Sequence, residues 1–275
     1  MDPSPNNLPI ITGNPRYDRL LALINTHGYM RVDELAALLE VSAQTIRRDI
    51  KKLSADGVLS RFHGGVGQGQ ATSAINHPLE TREQSQTAEK ERIARAIAER
   101  IPDRSTLFLA AGTTIEAVAK ALEIRQELRI ITTCIRAAAQ LYRRRDFDVI
   151  VPGGSIRHQN SGIIGPTVLD FLRAFRADYL IMSFGAIDLN GTMLEFDFNE
   201  VAAVQIMMAN ARNVFVAADH TKYRASASVT VGNISEVDAF FTDQPPPASL
   251  GSLLEQQKVE LVCCDAPALG REPGA

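Results

Sequence analysis

Val41-Ser42-Ala43-Gln44-Thr45-Ile46-Arg47-Arg48-Asp49-Ile50-Lys51-Lys52-Leu53-Ser54-Ala55-Asp56-Gly57-Val58-Leu59-Ser60-Arg61-Phe62-His63 reads as a DNA recognition helix running into a wing. Ser42 is a good N-cap, and after it Ile46, Ile50 and Leu53 recur at the spacing that buries one helical stripe. At roughly 100° per residue, Gln44, Arg48 and Lys51 then fall opposite that stripe, with Thr45, Arg47 and Lys52 on its flanks. These side chains are donors for phosphates and base edges. Gly57 suits a helix C-terminus, and Val58 to Val66 reads as a short β-hairpin carrying Arg61, with His63 at its turn. The sites expected to touch DNA are Ser42, Gln44, Thr45, Arg47, Arg48, Lys51, Lys52, Arg61 and His63.

Working outward on the N-terminal side, Arg16 to His27 carries Leu20, Leu21, Leu23 and Ile24 at helical spacing and stops at Gly28. Asp33 opens a second helix containing Leu35, Ala36, Leu38 and Leu39. Three short helices and a hairpin sharing one core make a winged helix-turn-helix, expected over residues 15–66. The rival reading is a small helical bundle whose Arg and Lys are merely solvated.

Charge agrees with a local rather than a general attraction to DNA. The whole chain of 275 residues has a net charge of −3. Residues 15–66 hold eight Arg and Lys against six Asp and Glu, a local balance of +2. The length suggests two domains, and 45% hydrophobic residues suffice for a sizeable core. Three cysteines, two of them adjacent at Cys263 and Cys264, form neither a disulfide framework nor a zinc-ligand spacing. The N-terminus lacks the charged start and apolar run of a signal peptide, and no apolar stretch is long enough to span a bilayer. A reduced cytoplasm is the expected setting, on the nucleoid when bound to DNA, with no membrane partner.

Residues 67–88 are polar and turn-rich, which marks them as a linker. Glu89 to Arg100 resumes a helix, with Ile93, Ala94, Ile97 and Ala98 on one side. From about residue 105 buried strands alternate with helices, the pattern of a mainly parallel α/β sheet. The expected strands are Thr106 to Ala110, Leu128 to Thr132, Asp148 to Val151, Tyr179 to Ser183, Asn213 to Ala217, Asp238 to Thr242 and Val259 to Cys263. This second domain is expected over residues 89–264, with a disordered tail at 265–275.

Ligands of open α/β sheets gather at the carboxyl ends of the strands. There the first strand leads into Gly112-Thr113-Thr114 and a helix, a turn whose backbone N–H groups suit a phosphate and which an ordinary strand-to-helix connection would explain as well. Thr132-Thr133-Cys134, Pro152-Gly153-Gly154 with Arg157, Gly185, and Asp219-His220-Thr221-Lys222 share that edge. Glu195 and Asp197 could form a general acid and base pair, or orient hydroxyls. Neither His158 nor His220 has a ligand-spaced neighbour, so no metal is expected; no catalytic set and no cofactor is expected either.

Ser42-Ala43-Gln44-Thr45-Ile46-Arg47-Arg48-Asp49-Ile50, with Glu89-Lys90-Glu91-Arg92-Ile93-Ala94-Arg95, Gly162-Ile163-Ile164-Gly165, Leu194-Glu195-Phe196-Asp197, Asp219-His220-Thr221-Lys222 and Thr242-Asp243-Gln244-Pro245-Pro246-Pro247, resembles the DeoR family of bacterial repressors from about Tyr17 to Cys263. The resemblance implies a second domain that is a sugar-phosphate sensor related in fold to ribose-5-phosphate isomerase. It implies a repressor that binds double-stranded operator DNA as a homodimer or homotetramer. Release would follow when a small phosphorylated metabolite, glycerol 3-phosphate or a sugar phosphate, occupies Gly112, Thr113, Thr114, Thr132, Arg157, Glu195, Asp219 and Lys222. The chain departs from the family where Ala110 replaces an acidic residue, where Thr132-Thr133-Cys134 lacks the usual Asn, and where Val204 and Gln205 stand near a usual Lys. These losses remove partners for a polyol phosphate. Two alternatives therefore stay open, a DNA-binding regulator whose sensor acts without ligand and an isomerase-like enzyme with a DNA-binding head.

Overall fold

The computed structural model describes residues 14–27, 29–55, 59–62, 65–68, 78–223 and 225–264. Two compact units emerge, residues 1–75 and 76–275. His63, residues 69–77 of the expected linker and the expected tail lie outside the described residues.

The first unit runs α1 (Pro15–His27), β1 (Tyr29–Arg31), α2 (Val32–Leu38), α3 (Ala43–Ala55), β2 (Leu59–Phe62) and β3 (Gly65–Gln68). Ile46, Ile50 and Leu53 of α3 are buried against Leu20, Ile24, Leu35 and Leu39, so the stripe read from the sequence is the core of this unit. Leu59 and Val66 bring the hairpin into the same core. The hairpin is antiparallel as expected, but β1 adds to it, giving the order β1-β3-β2 with Met30 paired to Val66. Three residues between two helices are too few for an alternating pattern to announce a strand.

The second unit opens with α4 (Leu79–Gln84) and α5 (Thr87–Arg100), followed by β4 (Thr106–Leu109), α6 (Thr113–Ala121), β5 (Arg129–Thr132), α7 (Ile135–Leu141) and β6 (Asp148–Ile150). A hairpin of β7 (Ser155–Ile156) and β8 (Ile163–Ile164) leads to α8 (Pro166–Arg173), β9 (Ala177–Met182), β10 (Ala186–Ile187), β11 (Thr192–Glu195) and α9 (Phe198–Asn210). The chain ends through β12 (Ala211–Ala217), β13 (Val229–Asn233), β14 (Ala239–Thr242), α10 (Ala248–Gln256) and β15 (Glu260–Cys263). The stretch 79–88, read from sequence as linker, is thus mostly helical and belongs to this unit. Its signal was absent because α4 buries no side chain and shows no apolar stripe.

All seven expected strands form one parallel sheet in the order β15-β14-β12-β9-β4-β5-β6. Their side chains alternate between two cores. Phe108, Leu180, Val214, Val216 and Phe240 pack on the side of α8, α9 and α10, while Leu107, Leu109, Ile130, Phe215 and Phe241 pack on the side of α5, α6 and α7. Burial on both faces is what makes these strands read as continuous apolar runs. The chain enters the sheet at β4, moves out to β6, returns to β9 beside β4 and then moves out the other way. At such a reversal the connections leave β4 and β9 on opposite faces and open a crevice at the carboxyl edge.

Candidate functional site

α6 begins at that reversal. Gly112 sits at φ 135° and ψ 161°, a backbone conformation open to glycine and costly for other residues. A side chain at 112 would meet nothing within 4 Å, so conformation rather than crowding calls for glycine. No side chain caps the helix, which starts at Thr113. Thr113 and Thr114 therefore occupy the first turn, whose N–H groups point out of the helix with its positive end.

Around this turn the fold gathers charges from four helices, α4 to α7. Lys90 of α5 is buried, 7% exposed, and its Nζ donates to the carbonyls of Arg82 and, at 2.8 Å, Ser85. Burial lowers its pKa to about 8, against the pull of Asp219, while Lys222 and Arg82 push the same way as burial. Arg82 of α4 donates from Nη2 to the carbonyl of Gln159, and its Nε is buried without a hydrogen-bond partner. Burial lowers the Arg82 pKa against the fields of Glu195, Glu200 and Glu116. Glu116 of α6 has one oxygen 3.3 Å from Arg136 Nε and the other buried without a partner. Its carboxyl is raised to about 7, chiefly by burial. Glu83, Lys90, Thr113, Glu116 and Arg136 line one open cleft of about 240 Å³.

On the other side of the reversal stand Arg157, Glu195, Asp197 and Glu200. Arg157 donates to Glu200 and lies 3.4 Å from Asp197, so its charge is already met by two carboxylates. Glu195 is half-buried, accepts from its own neighbour's N–H (Phe196) at 2.7 Å, and is raised by burial. Glu200 is raised to about 7 by burial and by Glu195. The Asp197 side chain caps α9 by accepting from the N–H groups of Asn199 and Glu200, at 2.9 and 3.1 Å. That employment accounts for its presence without acid–base work.

The loop after β12 completes the rim. Asp219 is buried and accepts from the Thr221 N–H at 3.0 Å and from its hydroxyl, which fixes the turn that carries Lys222. Lys222 lies within electrostatic reach of Lys90 and of Glu195. His220 turns to Asp243, with its backbone N–H 2.7 Å from one carboxylate oxygen and Nδ1 2.6 Å from the other. Thr132 is fully buried. Its hydroxyl donates to the Leu109 carbonyl at 2.9 Å and accepts from the Cys134 N–H at 3.0 Å, so both bonds stay within the protein. Ala110 and Cys134 are buried in the two cores, Val204 packs against one of them, and Gln205 donates to the Val231 carbonyl at 2.9 Å.

Of the eight effector residues expected from sequence, Gly112, Thr113 and Thr114 open α6, where Thr113 shares a cleft with Lys90 and Glu116; Asp219 and Lys222 lie within electrostatic reach of Lys90, Lys222 and Arg157 within that of Glu195, and Thr132 is buried with both of its bonds internal. Sequence reading missed Arg82, Lys90, Glu116 and Glu200. Lys90 had a signal, since it falls one turn before Ile93 and Ala94 on the buried stripe of α5. Arg82 had none.

In the first unit, Gln44, Arg47, Arg48, Lys51 and Lys52 are exposed along α3. Ser42 Oγ accepts from the Thr45 N–H at 3.1 Å and lies 2.9 Å from the Thr45 hydroxyl, the N-cap expected of it. Asp49, on the same helix, is buried and held by Arg16 of α1 through two bonds of 2.6 and 3.1 Å, which leaves the outward face with cations and amides only. Lys52 Nζ sits 5.7 Å from the Tyr17 ring centroid. Arg61 falls on β2.

Two family descriptions match the chain, the DeoR-like helix-turn-helix domain over residues 16–70 and the DeoR C terminal sensor domain over residues 85–244. The HTH-type transcriptional repressor CsqR of Escherichia coli K12 is 54% identical over 256 residues, covering 93% of this chain and 97% of that protein. The glycerol-3-phosphate regulon repressor of the same strain is 42% identical over 249 residues, covering 90% and 98%. Among solved structures, ribose 5-phosphate isomerase A from Neisseria gonorrhoeae is 16% identical, covers 54% of this chain and 56% of its own, and has a TM-score of 0.37. A DNA-reading helix in one unit, a charge-lined crevice in the other and two domain matches in that order carry one conclusion: the chain belongs to the DeoR family of DNA-binding transcriptional repressors, and it is a regulator rather than an enzyme.

Proposed function

We propose that this protein represses genes of glycerol 3-phosphate or sugar-phosphate metabolism, and that a small phosphorylated metabolite binding at the β4–β9 reversal releases it from its operator. The supporting observation is that the uncapped N-terminus of α6 opens on a cleft that Lys90 also lines, with Lys222 within electrostatic reach of Lys90, so that an anion there gains N–H donors and positive charge together. Gly112, Thr113, Thr114 and Lys222 receive the phosphate; Glu195, Asp219 and Arg157 shape the hydroxyl side, and Thr132 holds the loop beneath. The relative named for the glycerol-3-phosphate regulon makes glycerol 3-phosphate the first candidate and pentose or hexose phosphates the second.

On DNA, the exposed face of α3 reads the major groove and the wing carrying Arg61 and His63 touches the backbone. Two-fold operators make a homodimer the minimum and a homotetramer the fuller assembly. The protein works in the cytoplasm, on the nucleoid when bound. A second reading, a sensor that acts without ligand, draws on Arg157 being neutralised by Glu200 and Asp197 and on the apolar Ala110.

Calorimetric titration of the full chain with glycerol 3-phosphate, ribose 5-phosphate and glucose 6-phosphate separates the two. The phosphate reading expects one compound to bind at one site per chain, and Lys222→Ala to weaken it at least tenfold. Absence of binding by all three at millimolar concentration moves the protein to the ligand-free reading.

A further inference from the structure

Helix α4 lies in the interval between the two matched domains, since one match ends at residue 70 and the other starts at residue 85. It is nonetheless fastened to the sensor at three points. Arg82 reaches the Gln159 carbonyl of the β7–β8 loop, Glu83 pairs with Arg136 of α7, and Lys90 of α5 holds the Arg82 and Ser85 carbonyls at the end of the helix. No side chain of α4 is buried among apolar neighbours to strengthen this attachment. Its hydrogen bonds and ion pair are its main fastening.

Two of those three fasteners are cations beside the proposed effector site. Among the described residues neither Lys90 nor Arg82 has a carboxylate within ion-pair distance; Lys90 is spent on neutral carbonyls, and Arg82 keeps a buried Nε–H with no acceptor. A phosphate dianion is a far better acceptor for an ammonium or guanidinium than a peptide carbonyl, because charge-assisted hydrogen bonds are roughly twice as strong as neutral ones. An anion seated at the α6 N-terminus would therefore draw Lys90 and Arg82 away from α4 and its anchor at Gln159.

We infer that α4 is an effector-sensitive latch: Lys90 and Arg82 hold it on the sensor in the empty protein, and a phosphate monoester captures both cations and frees it. The inference rests on the phosphate-sensor reading above. The helix starts eleven residues after β3 of the DNA-binding unit, so its release alters the tether through which the sensor acts on that unit. Occupancy becomes a change in attachment without any new contact between the units.

Amide hydrogen exchange of the full chain, with and without glycerol 3-phosphate, ribose 5-phosphate or glucose 6-phosphate at millimolar concentration, tests the latch. With a compound that binds, exchange in residues 79–86 should rise at least threefold while residues 112–116 become protected. Protection of 112–116 with unchanged or slower exchange in 79–86 overturns the latch and leaves the sensor reading intact. Protection nowhere with any of the three overturns both. Lys90→Met supplies a ligand-free check, because it deletes the two ammonium bonds. It should raise exchange in 79–86 of the unliganded protein, and Arg82→Gln, which leaves Lys90 in place, should raise it less; exchange at the unmodified level in both variants also overturns the latch.

Discussion

Lys90 and Glu116 illustrate how single side chains here trade comfort for function. A buried ammonium and a half-buried carboxylate each forfeit hydration, and ordinary packing would pair them or replace them with apolar groups. Here the ammonium binds carbonyls and one carboxylate oxygen stays without a partner. Glu116 and Glu200 are both raised from 4.5 to about 7, so between those values the folded chain keeps protons that the unfolded chain has released. The stability that this contributes is full below about pH 4.5 and is lost as pH rises through 7. Glu116→Gln removes one of the two titrations and should flatten the fall of Tm across that window, as scanning calorimetry at several pH values would show. A slope identical to that of the unmodified protein would mean that Glu116 titrates as an ordinary carboxylate. Lys90 was readable from the stripe it shares with Ile93, Ala94 and Ile97. The orphaned oxygen of Glu116 was not, because its surroundings come from α4, α5 and α7.

Elements differ in how much of themselves they write into the sequence. α3 is fully legible: one face buries Ile46, Ile50 and Leu53, and the opposite one presents Gln44, Arg48 and Lys51 to solvent. Arg48→Ala should cost about 1–3 kcal/mol of operator affinity while leaving affinity for random DNA nearly unchanged. Lys51→Ala should weaken both alike and reduce the salt slope by about one. Lys51 is the better probe than Lys52, whose ammonium already sits over Tyr17. Gel-shift titrations at several salt concentrations read both effects, and unchanged binding in both folded variants would take α3 out of the recognition role. The seven sheet strands were legible for a different reason, since two cores demand apolar residues on both faces. By contrast β7, β8, β10 and β11 have two to four residues each, too few for periodicity to show, and pair only within small antiparallel sheets. α4 was invisible because charge, not apolar burial, holds it.

At the scale of the whole molecule, the two units divide the work by chemistry. The first presents cations outward for a polyanion; the second turns Lys90 inward, beside the start of α6. Their coupling is a linkage between two binding equilibria, so an effector that weakens the operator must itself be bound more weakly by the operator complex. The topological reversal between β4 and β9 follows from strand order, which periodicity cannot supply, and that is why the sequence put the loops of the site on one sheet edge but could not locate the reversal. The most direct measurement is operator DNA binding by fluorescence anisotropy, at fixed salt, as glycerol 3-phosphate, ribose 5-phosphate and glucose 6-phosphate are titrated into the unmodified protein and Lys222→Ala. The account predicts that at least one phosphate releases the unmodified protein, and that Lys222→Ala binds the operator equally well yet stays bound at the same concentrations. Operator affinity that none of the three shifts up to millimolar levels, or release that proceeds unaltered in Lys222→Ala, would contradict it.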